Sequence, residues 1–342
     1  MYDHGNHETQ RRLQRTVAAL CDPTSYAEET GRIEAIETHM AWVFLTDEHA
    51  YKLKKPIRTP FMDYTTKEKR RRGCQREVEL NRRLAPDVYL GVSSVVETDG
   101  QFRVDAQGAP RDWLIKMKRL PRQRMLDARI ESREVLPKHV DAVTELLCSF
   151  YDRADKAGLN GPQYRDRIVR DIESKAESLD KHHYGLNSAH LHDAVHRLNH
   201  WAEANGTLLA TRADRVVDAH GDLRPEHVCL IDDPVVIDCL EFSRELRLLD
   251  PLSELSFLAL ECRRLGASWI GERLLKGYAE RTGDHPPPTL VWFYTGYHAL
   301  IRAAIALWHL DDATLDDDDK WPRRARWYLD VIRGESAFTA AR

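Results

Sequence analysis

The feature that most constrains the fold is a change of hydrophobic period near Pro121. Before it, short apolar stretches alternate with turn residues. After it, apolar residues recur at helical spacing. Ile33 to Lys55 reads as strands: Trp42-Val43-Phe44-Leu45 is an apolar run, Thr46-Asp47-Glu48-His49 a turn, and Ala50 to Lys54 a returning strand ended by Pro56 and Pro60. Tyr89 to Val96, Phe102 to Val104 and Trp113 to Met117 continue the pattern. One helix is expected among them, over 65–84, from Val78, Leu80 and Leu84 among Arg and Glu. Beyond Pro121, helices are expected over 136–157, 163–181 and 187–205, the last closed by Asn205-Gly206. Further helices follow near 251–264, 267–282, 288–310 and 321–333, and short strands at 228–231 and 235–238 interrupt the series. Strands first and helices second, with no βαβ alternation, make an α+β chain. The expected division is 1–27, a helical extension stopped by Asp22-Pro23; 28–120, a mostly β part; and 121–342, a mostly helical part.

At 342 residues the chain is long enough for two cores. A formal net charge of −4 excludes a nucleic-acid binder driven by bulk positive charge. The run Lys67-Glu68-Lys69-Arg70-Arg71-Arg72 includes an acid and no aromatic, so it reads as a solvated helix face. No stretch is expected to reach the roughly 18 apolar residues of a membrane span, and the polar N-terminus is unlike a secretory signal. The six cysteines form no CxxC pair, which excludes a zinc knuckle or a redox motif and fits reduced thiols in a cytoplasmic protein.

His220-Gly221-Asp222-Leu223-Arg224-Pro225-Glu226-His227, followed by Val235-Val236-Ile237-Asp238, carries the chemistry. An Asp, then a candidate metal ligand, then a second Asp behind a β-branched strand is a layout for phosphoryl transfer. This segment resembles the catalytic segment of the aminoglycoside phosphotransferase-like kinases, a small-molecule branch of the protein-kinase-like fold. The resemblance runs from about Thr38 to about Leu329. It implies a bilobal fold with a β-rich, nucleotide-binding N-lobe and a mostly helical C-lobe that holds the catalytic and acceptor sites. It also implies ATP and Mg²⁺ as cofactors and a small-molecule hydroxyl as the acceptor, with no nucleic acid or membrane partner. Some proteins of this kind are fused to a second ATP-binding domain; no GxxxxGK[ST] occurs in this sequence, so none is expected here.

By this resemblance Asp222 is the catalytic base and Asp238 the metal carboxylate. His227 stands where Asn is usual. Three readings stay open for it: a metal ligand that favours Mn²⁺ over Mg²⁺, a donor to phosphate, or the mark of a weak or inactive kinase. His220 is expected to brace the loop, and Asp250 to hold it through backbone hydrogen bonds. Ala50-Tyr51-Lys52 matches the strand of the ATP-anchoring lysine. Strand period puts Ala50, Lys52 and Lys54 on one face, with Lys52 the first choice and Lys54 the second. Glu77 fits the helix position that pairs with that lysine, and Glu241 is a supporting or substrate group. Glu37 to Trp42 is the expected phosphate-covering loop; it contains no glycine, so Thr38 and His39 would donate from side chains. Met117 to Arg119 is the hinge whose backbone would meet the adenine edge.

Elsewhere, Asp311, Asp312 and Asp316 to Asp319 read as a solvated loop rather than a cation pocket; Arg302 either points into the cleft or, the favoured reading, is an interface residue with a snorkelling head group. Two rivals remain. One is a nucleotide-binding pseudokinase or sensor, favoured by His227 and the glycine-free loop. The other is a metal-dependent hydrolase built on His220, Asp222, His227 and Asp238, which leaves Lys52 and Glu77 without a role. The acceptor, an aminoglycoside-like compound or another polar metabolite, is not specified by any motif.

Overall fold

The structure is a computed structural model and describes residues 7–59, 61–181, 188–308 and 320–334; Pro60 and the acidic residues from Asp311 to Asp319 lie outside them. The chain divides into two compact units, Met1–Ala128 with His227–Leu246, and Arg129–Glu226 with Arg247–Arg342. A single boundary at 120/121 does not express the return of 227–246 to the first unit.

The first unit is built on a six-stranded antiparallel sheet. Its strands are β1 (Glu34–Glu37), β2 (Ala41–Leu45), β3 (His49–Lys54), β6 (Tyr89–Thr98), β7 (Gln101–Val104) and β8 (Pro110–Lys118), in the order β1-β2-β3-β8-β6-β7. The small pair β4 (Arg58–Thr59) and β5 (Met62–Asp63) follows β3. Alternation along β3 sorts its residues between the two faces. Tyr51 and Leu53 join Phe44, Val95, Phe102 and Leu114 in one cluster, covered by Leu13, Val17 and Leu20 of helix α1 (His7–Leu20). The expected helical extension is therefore a lid over this face. Ala50 belongs to the other face, with Ile115, Met117 and the buried side of α2 (Lys67–Asn81), where Cys74, Glu77, Val78 and Asn81 lie at helical spacing. Thr66 caps α2 by accepting from Lys69 N at 3.2 Å. Gly73, inside this helix, has a packing reason: a Cβ there would meet the Tyr64 ring at 2.6 Å. Strands β10 (Val228–Cys229) and β11 (Val235–Val236) form a short hairpin in the same unit, shorter than the sequence suggests.

The chain enters the second unit within α3 (Leu126–Glu131) and re-enters it within α8 (Arg244–Arg247). The second unit contains α4 (Pro137–Arg153), α5 (Gly161–Lys181), α6 (Ser188–Ala204), α7 (Gly206–Thr211), α9 (Pro251–Arg264), α10 (Ser268–Thr282), α11 (Pro288–Trp308) and α12 (Lys320–Arg333). Asn205-Gly206 closes α6 as expected, and the short helix α7 starts directly at Gly206. Helix α9 packs on α10 and α11, and α11 on α12 and α5. Strands β9 (Val217–Asp218) and β12 (Leu248–Leu249) pair across the loop that carries Asp222. Helix α11 corrects the membrane-length expectation, since it is long and apolar enough to cross a bilayer by composition; 72% of its most apolar window is buried, as in a core helix.

Candidate functional site

The register of β3 sends Lys52 and Lys54 to the α2 face, where Glu77 is fully buried. Lys52 Nζ donates to Glu77 Oε1 at 2.8 Å and to Asp238 Oδ1 at 2.5 Å. Lys54 Nζ donates to Glu77 Oε2 at 2.5 Å and to Glu241 Oε1 at 2.5 Å, and Tyr64 Oη donates to the same Glu241 oxygen at 2.6 Å. The result is a continuous chain of alternating charge, Asp238–Lys52–Glu77–Lys54–Glu241. Burial alone would lower the Lys52 pKa; Asp238 and Glu77 outweigh it and hold the ammonium well above its ordinary value. Burial likewise pushes Glu241 up, and Lys54 and Lys52 outweigh that, so its carboxyl sits below its ordinary range.

Asp238 follows the β11 strand and adopts a positive φ of 64°, a conformation that Asp tolerates better than most residues and that recurs at functional positions. Two tethers fix the backbone there: Asp238 N donates to Tyr89 Oη at 3.1 Å, and Cys239 N to Asn81 Oδ1 at 2.9 Å. The Asp238 side chain is 44% exposed, and its Oδ2 lies 3.6 Å from Nε2 of the buried His227. His227 O accepts from Ile237 N at 2.9 Å, which sets the two residues side by side. Asp238 and His227 thus present one hard oxygen donor and one imidazole nitrogen.

Other expected nucleotide contacts are placed as follows. Thr38 to Met40 is a tight turn between β1 and β2. Thr38 N and Oγ1 both donate to Ala41 O at 2.9 Å, and Oγ1 accepts from Ala41 N at 3.0 Å, so this hydroxyl is engaged in the turn. His39 sits at the tip of that turn. Met117 lies within β8, paired with both Ala50 and Tyr89, and its side chain packs with Ala50, Leu120, Val235 and Ile237. Arg119 N donates to Glu48 O at 2.8 Å, and its guanidinium reaches Thr46 O at 2.6 Å and Glu34 at 3.4 Å.

In the second unit, Gly221 takes a φ of 88° that suits glycine, and turns the chain from His220 to Asp222. The fully buried His220 ring accepts from Asp222 N through Nδ1 at 3.3 Å, the bracing role expected of it. Asp222 Oδ2 lies 3.1 Å from Arg224 Nε. Asp250 was expected to hold this loop, but Glu254, one turn further along α9, accepts its amides. Glu254 takes the N–H of His220 at 3.0 Å, the N–H of Gly221 at 2.6 Å and the Tyr151 hydroxyl at 2.8 Å. Asp250 instead caps α9 at Leu252 N and pairs with Arg212 at 2.6 Å. An apolar helix with one carboxylate in its first turn was the only signal for Glu254, too common to single it out. Among the described residues no three His, Cys, Asp or Glu side chains gather as a metal-ligand set.

No family model matches the chain. An uncharacterized protein of Mycobacterium tuberculosis is 34% identical over 293 residues, which are 83% of this chain and 56% of that protein. The chain thus spans little more than half the length of the curated relatives it matches. Among solved structures, a choline/ethanolamine kinase family protein from Mesorhizobium loti aligns with a TM-score of 0.56 and 16% identity, over 95% of this chain and 99% of that one. A thermostable mutant of aminoglycoside phosphotransferase APH(4)-Ia, in ternary complex with AMP-PNP and hygromycin B, aligns with a TM-score of 0.51 and 15% identity, over 91% and 96%. The likeness establishes the fold.

Proposed function

We propose that this chain, which has the kinase-like α+β fold of the choline/ethanolamine kinase family and of the aminoglycoside phosphotransferases, moves the γ-phosphoryl group of ATP to a hydroxyl of a small polar molecule. The observation that carries the reading is the ion-pair chain Asp238–Lys52–Glu77. A lysine held by a buried helix carboxylate is positioned for phosphate oxygens, and a half-exposed carboxylate beside it suits a divalent cation. The AMP-PNP complex of the similar phosphotransferase supports ATP as donor.

In this reading Glu77 fixes the Lys52 ammonium, which neutralises nucleotide phosphate charge. Asp238 would hold Mg²⁺, and His227 would add a nitrogen donor that shifts preference towards Mn²⁺. When bound, the cation would offset charge on the transferred phosphoryl group. Asp222 orients the acceptor hydroxyl and takes its proton late in transfer, while His220 and Glu254 hold the loop rigid. Catalysis is then mainly positioning and charge neutralisation.

The hydrolase reading loses support, because the His220 ring accepts from backbone and no three-ligand set is gathered among the described residues. A nucleotide-binding protein without turnover is the second reading, favoured by the turn that Thr38 closes on itself. ATP binding and ATP consumption, measured side by side over a panel of hydroxyl-bearing metabolites with Mg²⁺ and with Mn²⁺, separate the two. Binding with acceptor-dependent consumption supports the phosphotransferase; binding without any consumption supports the sensor.

A further inference from the structure

A polar seam runs along α9 and α11 from the Asp222 loop. On α9, Ser253, Phe257 and Glu261 are spaced i, i+4, i+8 and share one face. On α11, His298 and Arg302 are spaced i, i+4. Ser253 Oγ is hydrogen-bonded to His298 Nε2 at 2.9 Å, the Phe257 ring stacks on the His298 ring at 4.9 Å, and the Arg302 guanidinium lies 5.9 Å from the Phe257 centroid. The seam starts beside Glu254, which grips the loop amides, and ends at Glu261, which is fully buried. Glu261 accepts from Tyr328 Oη, from Arg264 Nε at 2.9 Å, and faces Arg302 Nε at 3.7 Å. Arg324 precedes Tyr328 by one turn of α12, so it shares that side of the helix.

Three guanidinium groups therefore collect around Glu261. The only other carboxylate paired with any of them among the described residues is Glu226, 3.7 Å from Arg264 and 34% exposed. Arg302 is the most telling. It is nine-tenths buried, and its Nε has no hydrogen-bond partner among the described residues. A buried guanidinium N–H is normally hydrogen-bonded, and 3.7 Å to Glu261 is too long for that bond although it keeps the charges paired. Burial lowers the Arg324 pKa and the Arg264 charge adds to that, as expected of cations crowded together. The cluster is tied to the Asp222 loop twice, through Glu226–Arg264 and through Glu254, Ser253 and His298.

We propose that the acceptor carries an oxyanion, a carboxylate or a phosphate group, bound by Arg302 with Arg264 and Arg324 while its hydroxyl meets Asp222; this rests on the phosphotransferase reading above. Arginine suits this task because its planar fork matches oxyanion geometry. The acceptor class is then the opposite in charge from a cationic amino sugar.

The test is calorimetric titration of the full chain with three six-carbon polyols of matched size: D-gluconate, D-glucitol 6-phosphate and N-methyl-D-glucamine. Saturable binding of one or both anions is expected, with none of the cation, and the stronger anion tells carboxylate from phosphate. Arg302→Met should weaken that binding by about tenfold or more, the loss of one charge-assisted partner, with circular dichroism unchanged. If Arg302→Met does not fold, Arg324→Met, on a less buried position, reads the same loss. Preference for N-methyl-D-glucamine, no saturable binding of either anion, or anion binding that survives both substitutions overturns the site. ATP consumption is read separately in the same mixtures. Anion binding without consumption keeps the site and removes the phosphotransferase reading, whereas consumption with only the cationic polyol does the reverse.

Discussion

Lys52 and Lys54 share one carboxylate: Glu77 accepts from the first at 2.8 Å through Oε1 and from the second at 2.5 Å through Oε2. The sharing follows from strand period, which puts residues two apart on the same face. Their other partners differ. Lys52 goes on to Asp238, whose side chain is 44% exposed, and Lys54 to Glu241, whose side chain is 9% exposed. The two lysines should therefore fail in different ways when removed. Lys54→Met leaves buried Glu77 with Lys52 as its remaining cation and buried Glu241 with only the neutral Tyr64 hydroxyl, and should cost about 3–5 kcal/mol of stability, measured by urea unfolding. Lys52→Met should cost less stability and more ATP affinity, measured by titration calorimetry. Greater loss of ATP affinity in Lys54→Met would exchange their roles.

Glu254 should behave as a positioning residue. Glu254→Gln keeps one acceptor oxygen and loses the charge that holds the amides of His220 and Gly221. Stability should fall by about 1–3 kcal/mol, and turnover should fall while ATP affinity, which the proposal assigns to the first unit, stays within error. Equal loss of both would mean the variant is merely misfolded.

How legible was all this beforehand? The order of strands and helices was readable because period is local: Ala50, Lys52 and Lys54 fall on one face of β3 by alternation alone. Lys52, Glu77 and Asp238, which the ion pairs join, each sit in a local pattern that the sequence alone displays. The return of His227–Leu246 to the first unit was not readable, because it depends on β10 and β11 making only two paired positions. Glu254, Arg264 and Arg324 carry no local signal for the same kind of reason. Their meaning comes from helices far apart in sequence packing together, and Arg302 alone looks like any helix-face arginine.

His227 offers a sharper test of the metal pair. His227→Asn replaces an imidazole nitrogen by a hard amide oxygen beside Asp238. Activity should persist and the ratio of Mg²⁺-supported to Mn²⁺-supported turnover should rise. An unchanged ratio would place the imidazole on phosphate instead. Activity that emerges only in the variant would support the sensor reading for the native chain.

Acid should destabilise the second unit through His298. Burial holds this ring at about 3, far below its ordinary 6.5, so it is neutral when folded and protonates first when unfolded. The unfolded chain therefore binds the extra proton between those values, and stability is lost as pH falls through this window, by about 1.4 kcal/mol per pH unit. His298→Gln, which has no proton to gain, should flatten that slope in urea titrations from pH 7 to pH 4. An equally steep slope in the variant would assign acid sensitivity to other groups.

The most direct test of the account is acceptor-dependent ATP consumption by the native chain beside Asp222→Asn, with ATP affinity measured on both. A general base contributes about 10²–10⁴-fold. The account predicts that Asp222→Asn binds ATP as the native chain does and consumes it slower by a factor in that range. Undiminished consumption in Asp222→Asn would contradict it.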